Sequence, residues 1–214
     1  MRKLDRTSVP EPECLSCYEY GIDNWNHLTP EHKEEIRQRL EVMQGRRCAY
    51  CEGCLNTFGQ HIEHFRRKHV YPHLTFAWKN LFWSCNCHDR CGHHKDHGAG
   101  QYNPDDLIDP TIDDPEDYLR FFTDGTIGLT PGLSERQQHR AHETIRVFNL
   151  CGAGGPLRDI RMTQCLGYKR MGEEIAELAT NADEQLWQAF LDEELESIRG
   201  LPFETAIKHT LKPW

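Results

Sequence analysis

Cysteines with the spacing of metal ligands stand in two close pairs in the first half of the chain. Cys48-Ala-Tyr-Cys51 forms the first pair, and Cys85 and Cys91 form the second. Four thiolates from two such pairs can hold zinc in a closed tetrahedral site that leaves no position for water. We therefore predict a structural zinc ion at these cysteines. Cys87 lies inside the second pair and competes for the fourth position.

Between and after the two pairs lie residues suited to acid–base chemistry and to metal binding. Glu63 and His64 are adjacent, Asn80 precedes the second pair, and His93 and His94 follow it after Gly92. An imidazole has an unperturbed pKa of about 6.5, so it can accept a proton from water at neutral pH. A zinc ribbon without catalysis would share the cysteines, but it would not require the embedded acidic, histidine and asparagine residues.

Three basic residues, Arg66, Arg67 and Lys68, follow the Glu-His pair directly. Side chains of this kind grip the phosphates that flank a cut, and this is the role we predict for them. The alternative is a solvated loop. A further pair, Cys14 and Cys17, either joins other ligands in a second zinc site or carries two free thiols near a turn.

The charge of the chain is unusual for a protein that binds nucleic acid. The formal net charge is −9, yet residues 46–100 carry eight Lys/Arg against four Asp/Glu, with eight histidines besides. Residues 101–135 carry nine acids and one base. This distribution argues against tight, non-specific coating of DNA, and it indicates either shielded access or a partner that helps to hold the substrate.

Composition favours a cytoplasmic protein that is not bound to a membrane. Hydrophobic residues make up 37% of the chain and the mean hydropathy is −0.75, with no apolar run of about 18 residues that could span a bilayer. The basic start is not followed by an apolar segment of the kind found in export signals. In a reducing cytoplasm, ten cysteines are better explained by metal binding than by disulfides.

The chain divides into three predicted regions. A helix that begins at Thr29-Pro30 fills the end of residues 1–45, and residues 46–100 hold the metal and acid–base groups on short strands. Residues 101–214 begin with an acidic loop and a hairpin at 123–126. Helical patterns follow: a capping box of Ser134 and Gln137 opens residues 135–150, and two more patterns cover 157–181 and 183–198.

The order of the central residues resembles the HNH (His-Me finger) nuclease superfamily over residues 46–97. The resemblance implies an α+β fold with a small, zinc-bound ββα-metal (HNH) core, an N-terminal helix and a helical C-terminal region. It implies that His64 is the general base, that Asn80 orients the base, and that Glu63 is a ligand of a catalytic Mg²⁺ or Mn²⁺. Because Gly92 stands where the family usually has a histidine, His93 or His94 must supply the last ligand, with His97 as a further candidate.

Six segments between Cys48 and Leu150 resemble the nuclease subunits of Septu and retron-associated anti-phage defence, the PtuB family. They are Cys-Ala-Tyr-Cys-Glu, Ile-Glu-His-Phe, Trp-Lys-Asn-Leu-Phe, Cys-Gly-His-His-Lys-Asp, Asn-Pro-Asp-Asp-Leu-Ile-Asp-Pro and Thr-Ile-Arg-Val-Phe-Asn-Leu. The resemblance implies a PtuA-like ATPase as partner and DNA or tRNA as substrate. Two function classes stay open: an HNH endonuclease, and a non-catalytic zinc module that binds nucleic acid or the ATPase.

Overall fold

The structure is a computed structural model that describes residues 1–151, 155–181 and 184–212. Helices alternate with two small antiparallel sheets, which confirms the predicted mixture of helix and strand. In chain order the elements are α1 (Pro30–Gln44), α2 (Leu55–Phe58), β1 (Gln60–His64), β2 (Leu81–Cys85), α3 (Cys91–His97), β3 (Leu119–Phe121), β4 (Ile127–Leu129), α4 (Glu135–Val147), α5 (Pro156–Leu166), α6 (Lys169–Asn181), α7 (Glu184–Ser197) and α8 (Glu204–Leu211).

The first long helix, α1, leads into the cysteine segment as predicted. The Thr29 side chain caps it, and Gly45, with φ of 64°, ends it in a conformation that suits glycine. Gln44 at its last turn is buried and exchanges two hydrogen bonds of 2.9 Å with the backbone of Trp83 on β2. These bonds fix the end of α1 against the central sheet.

Strands β1 and β2 pair in antiparallel fashion, from Gln60 opposite Cys85 to His64 opposite Leu81. Side chains alternate along a strand, so His61 and Glu63 share one face of β1 and His64 lies on the other. Helix α3 packs on the face of His61 and Glu63. A Cβ at Gly92 would lie only 2.4 Å from Glu63 Cγ, so this close approach requires glycine at that position.

The C-terminal region follows the predicted pattern with two differences. The hairpin of β3 and β4 and the Ser134–Gln137 capping box are both present. The helical pattern over 157–181 is divided into α5 and α6, because α5 ends at Gly167. The last helix, α8, was not predicted. Asp183, the predicted start of the next helical pattern, lies outside the described residues.

One large apolar cluster draws on all three predicted regions. Leu40 of α1, Tyr50 of the cysteine loop, Phe82 of β2 and Phe148 after α4 are all buried in it. The rings of Tyr50 and Phe148 stack with centroids 3.9 Å apart. A second, smaller cluster joins α6, α7 and α8 through Ile175, Leu191, Ile198, Ile207 and Leu211. The domain boundaries at residues 45 and 100 remain a prediction. In the described part of the chain, no helix is both long and apolar enough to cross a membrane.

Glu116 ties α8 to the segment before β3, and this contact gives a prediction on pH dependence. His209 Nε2 lies 3.2 Å from Glu116 Oε2, and Lys208 Nζ donates to Oε1 at 2.8 Å. Burial by itself would raise the pKa of Glu116, but the hydrogen bonds from His209 and Lys208 outweigh it and lower the pKa to about 2. Since the folded-state pKa is below the unfolded value, this contribution to stability is complete above pH ~4.5 and is lost as the pH falls toward ~2.

The unfolding free energy of the wild type should fall between pH ~4.5 and ~2 as Glu116 is protonated. In Glu116→Gln we expect this fall to be smaller by on the order of 1–2 kcal/mol, a figure that allows for screening of the charges by solvent. Urea unfolding at a series of pH values measures this. Acid also protonates the cysteines, so the relevant quantity is the difference from wild type. The exposed Glu177→Gln is the matched control. Parallel stability curves for wild type and Glu116→Gln would contradict the assignment.

Candidate metal centre and active site

Three elements bring four cysteines together into one centre. Cys48 and Cys51 lie in the loop after α1, Cys85 ends β2, and Cys91 begins α3. All four are buried, and their sulfur atoms lie within 4.8 Å of one another. The backbone bond from Ala49 N to Trp83 O, 3.0 Å long, holds the loop against β2. This buried thiol group could bind a metal ion such as zinc, in agreement with the prediction.

The ionisation of these thiols favours a bound cation. Burial by itself would raise the pKa of Cys48, but hydrogen bonds from the other three thiols outweigh it and hold the pKa well below its usual range. Hydrogen bonding to Cys48 and Cys51 raises the pKa of Cys85, and burial raises that of Cys91. One thiolate therefore opposes ionisation of its neighbours, and a divalent cation would remove that penalty because thiolate is the form that binds metal.

The other cysteines of the first half do not belong to this group of four, although the thiol of Cys87 contacts that of Cys85. Cys91, and not its competitor Cys87, completes the group. Among the residues that the structure describes, no second group of three or more potential ligands is gathered as tightly. Cys14 is buried and Cys17 is exposed, and burial raises the pKa of Cys14 to about 12, with Glu35 adding to the rise. The structure therefore gives no support to a second zinc site at Cys14 and Cys17.

His64 lies at the end of β1 in a pocket that keeps its imidazole neutral. Its side chain is buried against the edge of Trp25, with ring centroids 4.4 Å apart. Burial, together with the charge of nearby Lys68, lowers the pKa of His64 to about 4. His64 Nε2 lies 3.0 Å from Thr75 O. A carbonyl oxygen only accepts, so Nε2 carries the proton and Nδ1 keeps the free lone pair that a base requires.

Asn80 contacts the backbone on both sides of the segment that surrounds His64, and its role in orienting the base stays a prediction. Its Oδ1 accepts a hydrogen bond from Arg66 N at 2.7 Å, and its Nδ2 donates to Arg66 O and Leu74 O at 3.1 Å. Leu74 directly precedes Thr75, whose carbonyl holds His64. These contacts place Asn80 one step away from the base, because it fixes both ends of the loop around the imidazole.

Glu63 is occupied by internal partners. Its carboxylate is buried 2.7 Å from the ammonium of Lys95, and it accepts a short hydrogen bond from the Tyr50 hydroxyl. Burial raises the pKa of Glu63, and the charge of Lys95 opposes that rise. Lys95 is fully buried and also donates to His64 O at 2.9 Å. The carboxylate expected to bind a catalytic metal is thus neutralised by a lysine of the same chain.

The buried pair of Glu63 and Lys95 predicts that removing one of the two charges costs more unfolding free energy than removing both. We expect Lys95→Met to cost about 3–5 kcal/mol of unfolding free energy, because it leaves Glu63 buried without its counter-charge. Adding Glu63→Gln should recover much of that loss. Chemical denaturation of the zinc-loaded proteins measures both values. Lys169, which forms an exposed ion pair, provides the control, and Lys169→Met should cost at most about 1 kcal/mol of unfolding free energy. A similarly small effect of Lys95→Met would argue against the buried pair.

The histidines of α3 lie in two different environments. His94 Nδ1 lies 2.9 Å from Val147 O, so His94 joins α3 to α4. The His93 ring lies 4.4 Å from that of His61 and 4.7 Å from that of His88, centroid to centroid. His97 lies one turn further along α3, with centroids 6.3 Å apart. Sequence reasoning named His88 only as a possible ligand of a second zinc site and gave His61 no role, although the alternation of β1 places His61 on the face toward α3.

The three basic residues after His64 differ in what they contact. Arg66 binds Asp105, and Arg67 binds the backbone oxygens of Lys95 and Gly100. Lys68 is exposed and lines a surface groove of about 540 Å³, which also includes Trp25 and Thr75. Of the three, Lys68 is therefore the one most available to contact a phosphate.

The strand pair of β1 and β2, helix α3 and the four-cysteine centre all lie within residues 46–97, where the sequence resembles HNH nucleases. Similar proteins include Septu protein PtuB of Bacillus thuringiensis, 34% identical over 92 residues, which cover 42% of this chain and 34% of that protein. They also include "Retron Vc95 putative HNH endonuclease" of Vibrio cholerae, 28% identical over 123 residues, which cover 55% of this chain and 58% of that protein.

A second Septu protein PtuB, from Bacillus mycoides, is 27% identical over 146 residues, which cover 55% of this chain and 47% of that protein. No protein-family model matches the chain. The chain spans less than two thirds of the length of each of these relatives. At this modest identity, the chain is related to PtuB and to HNH nucleases, as its motifs predicted.

Proposed function

We propose that the chain is an HNH endonuclease that hydrolyses phosphodiester bonds of nucleic acid, with β1, β2 and α3 as its ββα-metal unit. The observation that carries the proposal is His64, held by Thr75 O so that Nδ1 can accept a proton. The proposed substrates are phage DNA or tRNA. We further propose that the chain acts as the nuclease subunit of a two-component anti-phage defence complex with a PtuA-like ATPase, in bacterial cytoplasm.

The chain's own residues support one sequence of proton transfers. His64 Nδ1 takes a proton from a water molecule as its oxygen attacks phosphorus, and the bond from phosphorus to the leaving oxygen breaks. A base of this kind contributes about 10²–10⁴-fold to the rate. The low pKa of His64 keeps the imidazole in its accepting form at neutral pH. Lys68, exposed at the groove beside His64, would bind a flanking phosphate.

Two metals belong to the proposal in different ways. Zinc fits the four buried thiols, and there it would hold the loop, β2 and α3 together. A catalytic Mg²⁺ or Mn²⁺ would stabilise negative charge on the phosphate when bound. Glu63 does not fit the role of its ligand, because Lys95 and Tyr50 already occupy the carboxylate. No step of the proposed mechanism is therefore assigned through Glu63.

The ATPase and the defence role rest on the relatives named PtuB and on the acidity of the chain. A net charge of −9 disfavours binding of nucleic acid by this chain alone. A basic partner surface would supply the missing counter-charge. We therefore expect cleavage to require, or to be strongly increased by, the ATPase subunit.

A cleavage assay tests the proposal directly. The wild-type chain is incubated with Mg²⁺ or Mn²⁺ on supercoiled plasmid and on total tRNA, each with and without the ATPase. The His64→Ala variant, prepared in the same way, controls for contaminating nucleases. Cleavage by the wild-type chain but not by His64→Ala, in the presence or absence of the ATPase, supports the proposal. The substrate consumed distinguishes DNA from RNA. Equal cleavage by both proteins would refute it.

A second candidate function is favoured by the internal pairing of Glu63 and by Gly92. A non-catalytic zinc module would bind nucleic acid or the ATPase without turnover. The same assay separates the two, because the module predicts a complex in gel-shift or co-purification experiments with substrate left intact under every metal and partner condition.

A further inference from the structure

The groove that Lys68 lines lies beside His64. Two residues of its wall contact the imidazole: the Trp25 ring lies edge-on, with centroids 4.4 Å apart, and Thr75 O lies 3.0 Å from Nε2. The groove has a volume of about 540 Å³, within the range of sites that hold small ligands. A group bound in this groove would therefore lie next to the proposed general base.

A short turn after Glu19 supplies the apolar part of the groove. Tyr20 and Ile22 line it, and these residues are 57% and 72% exposed. Large apolar residues are commonly exposed one at a time, but here two of them share one concave surface with Trp25. A contiguous exposed apolar surface of this kind indicates a site that binds a ligand or a partner.

The turn that carries these side chains is ordered by its own hydrogen bonds. Asp23 N donates to Glu19 O at 2.8 Å, and Asp23 Oδ2 accepts a hydrogen bond from Glu19 N at 3.0 Å. Gly21, with φ of 91°, allows the chain to reverse between them. The Trp25 ring packs at 25° to that of Phe76, with centroids 6.3 Å apart. Because the wall is already arranged, little conformational freedom is lost when a ligand binds.

Aromatic rings next to a cation suit one class of ligand, the unpaired nucleotide. The flat face of a base stacks on an aromatic side chain, and the neighbouring phosphate pairs with a lysine. Tyr20 and Trp25 provide the rings, and the exposed Lys68 provides the charge. Bases inside a duplex are already stacked and paired, so their faces are available only in single strands, in loops or after extrusion from the helix.

We propose that this groove binds an unpaired nucleotide, with its base stacked on Tyr20 and its phosphate on Lys68. The chain would then select single-stranded or looped nucleic acid over continuous duplex. This inference rests on the proposed function, because it identifies the form of the strand that is presented to His64. Tyr20 thus determines specificity without taking part in the chemistry. DNA and RNA share the same stacking chemistry, so the stack on Tyr20 favours neither.

Binding of a short labelled oligonucleotide to the zinc-loaded, full-length chain tests the proposal. A short probe carries few phosphates, so the net charge of the chain weakens its binding little. Fluorescence anisotropy is measured without Mg²⁺ or Mn²⁺, so that nothing is cut. The probes are one sequence as single-stranded DNA, as single-stranded RNA and as a DNA duplex. We expect the single strands to bind at least ~10-fold more tightly than the duplex.

Substitutions at Tyr20 locate the binding. Tyr20→Ala should weaken binding of the single strand by about 5–150-fold, the loss expected for one stacked base, whereas Tyr20→Phe should retain it. Phe122→Ala is the matched control, because Phe122 is an exposed aromatic residue of the β3–β4 hairpin and is not among the described residues that line the groove. Its affinity for the single strand should equal that of wild type.

Equal affinity of wild type for single strand and duplex, unchanged binding in Tyr20→Ala, or failure of the folded wild type to bind the single strand would overturn the proposal. Weakened binding in Tyr20→Ala, without any cleavage of plasmid or tRNA by wild type, would contradict only the nuclease assignment. Cleavage that depends on His64, with unchanged binding in Tyr20→Ala, would instead leave the nuclease assignment standing and remove the stacking role.

Discussion

His64→Ala is expected to abolish cleavage while leaving the chain folded and its zinc in place. The variant removes the nitrogen that accepts a proton from water, so the rate should fall by about 10²–10⁴-fold. The loss of stability should be small, because the variant loses only one hydrogen bond to Thr75 O and the contact with Trp25. Initial rates on the substrate that wild type cuts, together with zinc content, measure the two effects separately.

The exposed His69→Ala is a matched control, because His69 lies in the same segment and lines the groove without a predicted part in the chemistry. It should retain most of the activity. Retained cleavage by His64→Ala would remove His64 as the base. Loss of zinc or of circular dichroism in that variant would instead show that the histidine acts on folding.

Cys48→Ser is expected to abolish zinc binding and to unfold the central part of the chain. Structural zinc contributes about 10–16 kcal/mol of apparent binding free energy in small zinc domains at neutral pH. A domain of this size has a net stability of only about 5–15 kcal/mol. Since Cys48 lies among thiols no more than 4.8 Å apart, serine in its place would remove one of four ligands. Elemental analysis and thermal unfolding measure the loss.

Cys151→Ser supplies the control for this experiment, because Cys151 lies outside the four-cysteine centre and its sulfur donates a hydrogen bond to Ile127 O, at 3.9 Å. Its zinc content should equal that of wild type. A Cys48→Ser protein that is metal-free and yet melts cooperatively at the wild-type temperature would exclude a structural role for the centre.

Local signals explain which elements could be predicted from the sequence. Helix α1 carries a capping threonine, a proline at its first turn and a terminal glycine, each of which acts within a few residues. The Ser134–Gln137 capping box and the turn at Gly125 are equally local. In contrast, Phe203, the residue before α8, has φ of 59° and its side chain makes no capping hydrogen bond, so no local N-terminal signal marks the helix. Contacts with residues distant in sequence, such as those of Lys208 and His209 with Glu116, stabilise that helix instead.

In the candidate site too, predictions could be made from local sequence signals, but tertiary contacts could not be predicted. The cysteine spacing identified the four thiols that the structure gathers. The partners of Glu63 could not be predicted, because Lys95 and Tyr50 approach it from separate segments through tertiary packing. The partners of Asn80 could not be predicted for the same reason, since its contacts depend on how the loop before β2 folds back. Spacing indicates which groups can react, but not which neighbours they contact.

The connection between β1 and β2 determines the order in which this site can assemble. Residues 65–80 join the strands, and an isolated two-stranded hairpin with a connection of this length is marginal in water. The cysteines of the loop and of β2 hold the far end of that hairpin, where Gln60 pairs with Cys85. We therefore expect metal binding to nucleate folding, and His64, at the opposite end of β1, to acquire its geometry last. Under the proposed function, a cell starved of zinc would make this chain in a form without activity.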